Sequence, residues 1–346
     1  MCGAACLSVY VLIAGLHKVT RPGGCRRRHR WQLAKLATVG LLALSVSSCS
    51  ALRIDNAMRL EENTRLIEEA KAFGKTLGIE PTEALSRTAQ EQAPLSMLWF
   101  WMQHVGTLAL RVPVDIRMAI GFAAAKEDLK LEQVYRVDGY SVYYRQGNEF
   151  ADSRSIATAG FAEEGTVRRV KVILHEDLHG DNNFALSWEV EESIVTPLGS
   201  LAAVKFFRQK GDRETLQSAL ASLEEERQFA RELNALVGEA EKLFKTKPVE
   251  EANEQILNLM LSYPVYYRQF QRQIAGQHPP TVLEAKLSHD LAYYRYFDQI
   301  VALSEKVANL RTLIADFKKL PHDTSQEGMQ AYLQQLETKY SQSATQ

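Results

Sequence analysis

Helical spacing of hydrophobic residues dominates the chain. Apolar side chains recur every three or four residues over Ile54–Leu77, which predicts a charged amphipathic helix. The run Leu95–Leu110 is strongly apolar, but Gln103 and His104 interrupt it. It therefore predicts a buried core helix and not a membrane span. The alanine-rich stretch Ile116–Leu131 predicts a further helix.

The pattern changes between Val134 and Arg145, where polar and apolar residues alternate and many are β-branched or aromatic. This alternation predicts strands, with a hairpin turn at Asp138-Gly139. Ile156–Phe161 predicts another strand. We therefore expect a small sheet over residues 134–174.

Helical periodicity returns after residue 186 and is punctuated by prolines at 248, 279, 280 and 321. The expected helices cover residues 187–209, 212–246, 249–275, 281–318 and 325–340. The fold class that follows is α+β and predominantly α-helical, with a small sheet before residue 175 and a helical C-terminal half.

The first 48 residues have the composition of a targeting segment. A basic cluster precedes the short apolar run Leu33–Val46, which ends in Val46-Ser47-Ser48-Cys49. That order resembles a bacterial lipoprotein signal, in which Cys49 receives the lipid and a mature chain of 298 residues remains. An uncleaved anchor helix and an ordinary secretory signal are the alternatives. Residues 1–25 hold a second apolar run, which an over-extended start would explain.

Charge and cysteine content narrow the function class. Residues after 48 include 34 basic and 42 acidic ones, an acidic balance that argues against a nucleic-acid partner. All four cysteines lie at or before Cys49, so a processed chain has no catalytic thiol and no thiolate metal site. Ser50 after the cysteine favours the outer membrane. We expect a lipid-anchored protein of the bacterial cell envelope that faces the periplasm.

His175-Glu176-Asp177-Leu178-His179 forms the pattern HExxH. On a helix the two histidines lie one turn apart on the same face, so both can bind one metal ion. Glu176 lies on a neighbouring edge, where it can accept a proton from a metal-bound water. Zinc suits two neutral imidazoles and a carboxylate, with one position left for that water. A solvated helix turn with a charged surface is the alternative interpretation.

A third ligand is expected from the helix that follows the polar turn Gly180–Asn183. Glu189 and Glu192 share one face of that helix, whereas Glu191 points elsewhere. Spacing leaves the choice open, because each of these carboxylates could simply be solvated near the helix N-terminus.

Around these residues the chain resembles the predicted bacterial aminopeptidases, which are zinc peptidases with two histidine ligands and one glutamate ligand. Their HExxH is followed by a Gly-Asp-like turn and an Asn-Glu-Ser-Phe-Ala-Thr helix, where this chain has the segment Glu191–Thr196. The resemblance implies that Glu192 is the third ligand of one zinc ion. It also implies a gluzincin-like core. Three positions differ from the family pattern: Asp177, Glu191 and the segment Leu287–Asp290.

The resemblance implies one peptidase-like domain over residues 49–346. Its parts would be N-terminal helices over 52–131, the small sheet over 134–174, the HExxH helix and metal site over 172–207, and C-terminal helices over 212–340.

The expected reaction is hydrolysis of a peptide substrate, with amino-end trimming implied by the family and internal cleavage left open. Glu176 would be the base, and a strand over Ser155–Phe161 could align the peptide. Glu189 or Glu191 could hold the α-ammonium group of the substrate. Candidate donors to the oxyanion are Tyr143, Tyr144, His289, Tyr293 and Tyr294. The competing function is a non-catalytic helical envelope lipoprotein with a degenerate HExxH.

Overall fold

The computed structural model describes residues 58–89, 96–108, 119–121, 138–147, 153, 155–180, 182–274 and 276–343. Cys49 and the rest of the predicted targeting segment lie outside these residues. Within the described ranges, no helix combines the length and the apolar character needed to cross a bilayer.

The described part of the chain is predominantly helical with small sheets, as the periodicity predicts. Among the described residues the first helix is α1 (58–76), and the other helices follow residue 158. The latter are α2 (Ala159–Glu163), α3 (Thr166–Leu178), α4 (Trp188–Lys210), α5 (Arg213–Thr246), α6 (Val249–Met260), α7 (Pro264–Ile274), α8 (Pro279–Tyr294), α9 (Phe297–Lys306), α10 (Leu310–Phe317) and α11 (Gln326–Ser343). The strands are β1 (Arg87–Ala89), β2 (Ser96–His104), β3 (Ala119–Gly121), β4 (Tyr140–Gly147) and β5 (Ile156–Thr158).

Two small sheets lie on the N-terminal side of α3. One has the strand order β3-β2-β4, in which β2 pairs antiparallel with both neighbours. Its long pairing runs from Met97 opposite Gly147 to His104 opposite Tyr140. The other sheet is a parallel pair of β1 and β5. Helix α8 packs against both β2 and β4, which brings the antiparallel sheet close to the HExxH helix region.

The prediction of a helix over Leu95–Leu110 is wrong, because residues 96–104 of this segment form strand β2. Its length and continuous apolar character favoured a helix, but its aromatic content suits a strand that is covered by a helix. Trp101 is almost fully buried, and Trp101 joins the core that β2 shares with the C-terminal helices. The N-terminal part of the domain is therefore not the all-helical unit expected over 52–131.

Other boundaries also change. Residues 119–121 of the predicted helix Ile116–Leu131 form β3, and residues 122–131 lie outside the described part. A turn is present at Asp138-Gly139, but β4 after it pairs with β2. The strand expected over Ile156–Phe161 stops at Thr158, whose side chain caps α2 by accepting a hydrogen bond from the Phe161 amide. The small sheet thus ends well before residue 174.

The C-terminal half is helical as predicted, but two expected helices are divided. The segment 249–275 becomes α6 and α7, because Pro264 lacks an N–H and starts a new helix. The segment 281–318 becomes α8, α9 and α10, and the side chain of Asn309 caps the last of them by accepting from the Thr312 amide. Gly211, with a φ of 74°, ends α4 in the left-handed conformation that glycine adopts without strain.

Two hydrophobic cores meet near the HExxH helix. The first joins α3 and α4 to α1, α9, α10 and α11. The second joins the antiparallel sheet, through Trp101 and Tyr143, to α5, α6, α7 and α8. Tyr294 packs against both cores, so the end of α8 couples them.

Candidate metal centre

The two histidines of HExxH lie on one turn at the end of α3. His175 is within the helix, and His179 is its C-terminal cap residue with helical backbone angles. Apolar residues on the core side of α3 hold this turn in place, since Val170, Ile173 and Leu174 are all essentially buried. As the four-residue spacing predicts, the Nε2 atoms of His175 and His179 come within 3.2 Å of each other.

Helix α4 supplies Glu192 to the same point. Its Oε2 atom lies 3.5 Å from the Nε2 atom of His175 and 3.4 Å from that of His179. Gly199 permits this approach, because a Cβ at that position would lie 3.2 Å from the Cβ of His175 and 3.4 Å from its Cα. The three side chains form a group that could hold a metal ion.

The spacing of these three donor atoms suits a small divalent cation. Metal–ligand bonds of about 2.0–2.2 Å in tetrahedral geometry put neighbouring donors roughly 3.3–3.6 Å apart. The observed separations of 3.2, 3.4 and 3.5 Å lie close to that range. In addition, the Oε2 atom of Glu192 is buried and has no hydrogen-bond donor in the described part of the structure. A buried anionic oxygen without a donor is costly, and a bound cation would remove that cost.

The pKa values of His175 and Glu192 favour the protonation states that bind a cation. Burial and the neighbouring imidazole of His179 lower the pKa of His175 to about 3, so this ring is neutral. Burial alone would raise the pKa of Glu192, but the two imidazoles outweigh it and lower the pKa to about 2. For His179, burial opposes the charged form, yet the Glu192 and Glu191 carboxylates raise its pKa well above the usual value. A cation would therefore displace a proton from His179.

Glu191 does not point away from the site, contrary to the expectation from helical spacing. Its Oε1 atom lies 2.7 Å from Nδ1 of His179, and its Oε2 atom accepts from the Leu186 amide at 3.2 Å. A carboxylate on the far ring nitrogen fixes the tautomer that presents Nε2 to a metal, and it makes that nitrogen a better donor. Glu191 is therefore a support for His179 through Oε1, while its Oε2 accepts from the Leu186 amide.

Glu176 lies beside the three candidate ligands and is 7% exposed. Its negative charge contributes to the raised pKa of both His179 and Tyr293, which places the carboxylate within electrostatic range of both. The solvated helix turn that was the alternative interpretation of HExxH is wrong. Asp177 is 1% exposed and Glu192 is 6% exposed, so this cluster belongs to the interior.

Asp177 has a structural role on the opposite side of α3. Its Oδ1 atom accepts from the Thr82 amide at 2.8 Å, from the Thr82 hydroxyl at 2.9 Å and from Lys71 Nζ at 2.5 Å. These bonds tie the turn that carries both histidines to α1 and to the segment that follows it. The charge that departs from the family pattern at this position thus points away from the candidate metal site.

Asn183 fixes the loop between the two ligand-bearing helices. Its amide nitrogen donates to the carbonyls of Asp177 and Glu80, and its amide oxygen accepts from the Glu80 amide and from Lys318 Nζ. The polar turn Gly180–Asn183 was expected to fold one helix back onto the other, and α3 and α4 do pack together. Sequence reasoning did not identify Asp177 or Asn183 as the residues that hold this arrangement.

Helix α8 contributes an aromatic wall next to Glu192. Burial, and then the charge of Glu192, raise the pKa of Tyr293. The ring of His289 lies 5.0 Å from that of Tyr293 and 5.1 Å from that of Tyr143. His289 Nδ1 lies 3.0 Å from Asp290, while no partner for its buried Nε2 atom is found in the described part of the chain. The structure therefore brings Tyr293 to the site, with His289 and Tyr143 behind it.

The remaining candidates from the sequence are not shown to join the site. Tyr294 packs on Phe229 and Phe297, with ring centres 4.7 and 5.4 Å away. Tyr144 is engaged through its backbone, where both the amide and the carbonyl bond to the side chain of Gln277. Glu189 is in the first turn of α4, but its side chain lies outside what the structure describes. Strand β5 covers only three residues and pairs with β1 along one edge, and the alignment of a peptide by this segment stays a prediction.

Comparisons with known proteins add no assignment. No family model matches the chain, and neither the curated proteins nor the solved structures contain a match. The function is therefore inferred from the geometry of this site.

Proposed function

We propose that this protein is a zinc-dependent peptidase. The observation that carries the proposal is the convergence of His175 Nε2, His179 Nε2 and Glu192 Oε2, with mutual separations of 3.2–3.5 Å, beside a further buried carboxylate. Two imidazoles and one carboxylate are a ligand set that zinc accepts in hydrolases, where a fourth position is left for water. Magnesium and calcium prefer oxygen ligands, so this donor set favours zinc.

In this proposal each residue has a defined task. Bound zinc would supply a water of lowered pKa and a Lewis acid for the scissile carbonyl. Glu176 accepts the proton of that water and donates it to the leaving amine. Glu191 holds His179 in the tautomer that binds through Nε2. Tyr293, whose hydroxyl accepts a hydrogen bond from Arg145, would donate its own hydrogen to the developing oxyanion.

The finer proposal of an aminopeptidase requires a carboxylate that is available to the α-ammonium group of the substrate. Glu191 already serves His179 and the Leu186 amide. Amino-end trimming therefore stays a proposal based on the family resemblance alone.

The location follows as a separate proposal from the sequence. We infer that the chain is a lipoprotein of the bacterial cell envelope, with lipid on Cys49. Metabolic labelling with radioactive palmitate tests this, because Cys49→Ser should remove the label while Cys25→Ser should not. Equal labelling of both variants would place the lipid elsewhere.

The peptidase proposal is tested by metal content and one substitution. Protein purified without chelators should contain one zinc per chain and should cleave peptides from a mixed library. Glu176→Gln should lower the rate by about 10²–10⁴-fold, since it removes the general base, while zinc content stays the same. Glu239→Gln is the matched control, because this carboxylate is half exposed on α5 and pairs with Lys242.

The competing function makes the opposite prediction. A non-catalytic lipoprotein would lack stoichiometric zinc, and any residual hydrolysis in the preparation would be unaffected by Glu176→Gln. Either result would remove the basis of the peptidase proposal.

A further inference from the structure

Arg145 brings a positive charge to the rim of the candidate metal centre. It lies on β4 two residues after Tyr143, so the two side chains project from the same face of the sheet. That face is turned towards α8, because the Tyr143 ring lies 5.1 Å from the ring of His289. The Arg145 side chain is exposed at this edge, which a dissolved ligand can therefore reach.

The contacts of Arg145 lead to Tyr293 on α8. Its Nη2 atom donates to the Tyr293 hydroxyl at 3.2 Å, and its guanidinium carbon lies 5.7 Å from the centre of the Tyr293 ring. Helix α8, which carries Tyr293, packs against α4, which carries Glu192.

We propose that Arg145 binds a carboxylate of the substrate, so that the preferred substrates are peptides with a free carboxyl end next to the scissile bond. The proposal rests on the peptidase function above. A guanidinium presents five N–H donors in a planar fork that fits the two oxygens of a carboxylate. The donor to Tyr293 orients this fork beside the metal centre, where the end of a short peptide would lie.

The same charge argues against recognition of an amino end at this position. A guanidinium repels an α-ammonium group, and the nearby carboxylate of Glu191 is engaged by His179. The positive charge of Arg145 therefore favours the carboxyl end of a peptide over its amino end.

An aromatic surface adjoins Arg145 and suggests the residue that would carry the carboxylate. The Trp188 ring lies 6.0 Å from that of Tyr293 and 5.0 Å from that of Trp101, and Trp188 is 41% exposed. A large exposed aromatic side chain beside a charged group suits a ligand that has both an apolar and an ionic part. We therefore expect a preference for a large apolar residue at the carboxyl end.

The test compares two substrates that differ only in this charge. Zinc-loaded full-length protein is given dansyl-alanyl-phenylalanine and its carboxyl amide, and kcat/KM is measured for each. The wild-type protein should prefer the free acid by about tenfold or more, as the loss of a charge-assisted hydrogen-bonded pair predicts. Arg145→Met should bring the ratio close to one, and Arg145→Lys should give an intermediate ratio.

A matched control and a rival role for Arg145 are part of the same experiment. Arg268→Met removes an exposed arginine that pairs with Glu225 away from the site, and it should keep the wild-type ratio. If Arg145 only positions Tyr293, Arg145→Met would reduce cleavage of both substrates equally. That result, or a wild-type ratio near one, overturns the proposal.

Two further measurements distinguish a wrong carboxylate site from a wrong peptidase function. A dansyl peptide amide with aspartate next to the scissile bond should be a poor substrate, and its preference over the free acid would assign the carboxylate to a side chain instead. If neither these peptides nor the mixed library with free amino ends is cleaved, the peptidase function fails, and binding of N-acetylphenylalanine is followed by tryptophan fluorescence. Tighter binding of this acid than of its amide, lost in Arg145→Met, would still support a carboxylate site; equal binding would refute it.

Discussion

Replacement of Asp177 tests whether the charge within HExxH is a structural anchor. Asp177→Ala removes the acceptor of three hydrogen bonds and leaves the Lys71 ammonium group, whose side chain is 14% exposed, without its carboxylate. Loss of one partner of a buried ion pair costs about 3–5 kcal/mol in the free energy of unfolding. Because Lys71 retains a bond to the Thr82 carbonyl at 3.1 Å, we expect the lower end, about 3 kcal/mol.

Two further variants separate the loss of the Asp177 charge from the loss of its hydrogen bonds. Asp177→Asn keeps an acceptor for both Thr82 donors but loses the charge, so it should cost about 1.5–3 kcal/mol. In the double variant Lys71→Met/Asp177→Asn neither charge remains, and the cost should be clearly smaller than the sum of the two single costs.

Urea unfolding followed by circular dichroism measures these differences, with a chelator present so that metal binding does not contribute. A loss below about 1 kcal/mol for Asp177→Ala would show that the buried ion pair contributes little. Additive costs in the double-mutant cycle would refute direct coupling between Asp177 and Lys71. Either outcome would remove Asp177 as the anchor of the histidine turn.

Three other predictions concern different parts of the molecule. Glu191→Ala should weaken zinc binding about 10–100-fold in a competition assay with a chromogenic chelator, because His179 loses the partner of its Nδ1 atom; unchanged affinity would contradict this role. Gly199→Ala should lower the thermal midpoint despite the better helix propensity of alanine, because overpacking against His175 costs about 1–3 kcal/mol; a higher midpoint would mean that α3 yields easily. The pKa of Asp316, which burial would raise, is lowered from 3.8 to about 2 by hydrogen bonds from two lysines and a tyrosine, so its contribution to stability is complete above about pH 4 and is lost as the pH falls through 2. Asp316→Asn should therefore flatten the acid limb of a stability–pH profile between pH 4 and 2, and an unchanged limb would contradict the assignment.

The candidate ligands could be predicted because local geometry fixes most of their arrangement. A four-residue spacing on a helix places His175 and His179 on one face whatever the rest of the fold does. The third ligand needed a return helix, and the polar turn after His179 indicated one. Spacing wrongly turned Glu191 away and gave no decision between Glu189 and Glu192, since the choice depends on the rotation of α4 about its axis, and that is set by packing along its whole length.

Features that depend on pairing between distant segments could not be predicted. Residues 96–104 form a strand because β4, about forty residues later, provides the hydrogen-bonding partner and α8 covers the pair. The aromatic run that includes Trp101 was the available signal for a strand, and the length of the apolar segment outweighed it. Arg145 was not identified as a site residue for the same reason, because only the fold brings β4 next to Tyr293.

The loop that joins the two ligand-bearing helices is held from far away in sequence. Lys318, just after α10, donates to the side chain of Asn183 at 2.8 Å and to the Gly78 carbonyl at 2.7 Å. A shortened chain that stops before Lys318 would contain every candidate ligand and yet lose a constraint on the distance between them. Zinc affinity should therefore report on the integrity of the C-terminal helices, and tightly bound metal should protect those helices from proteases.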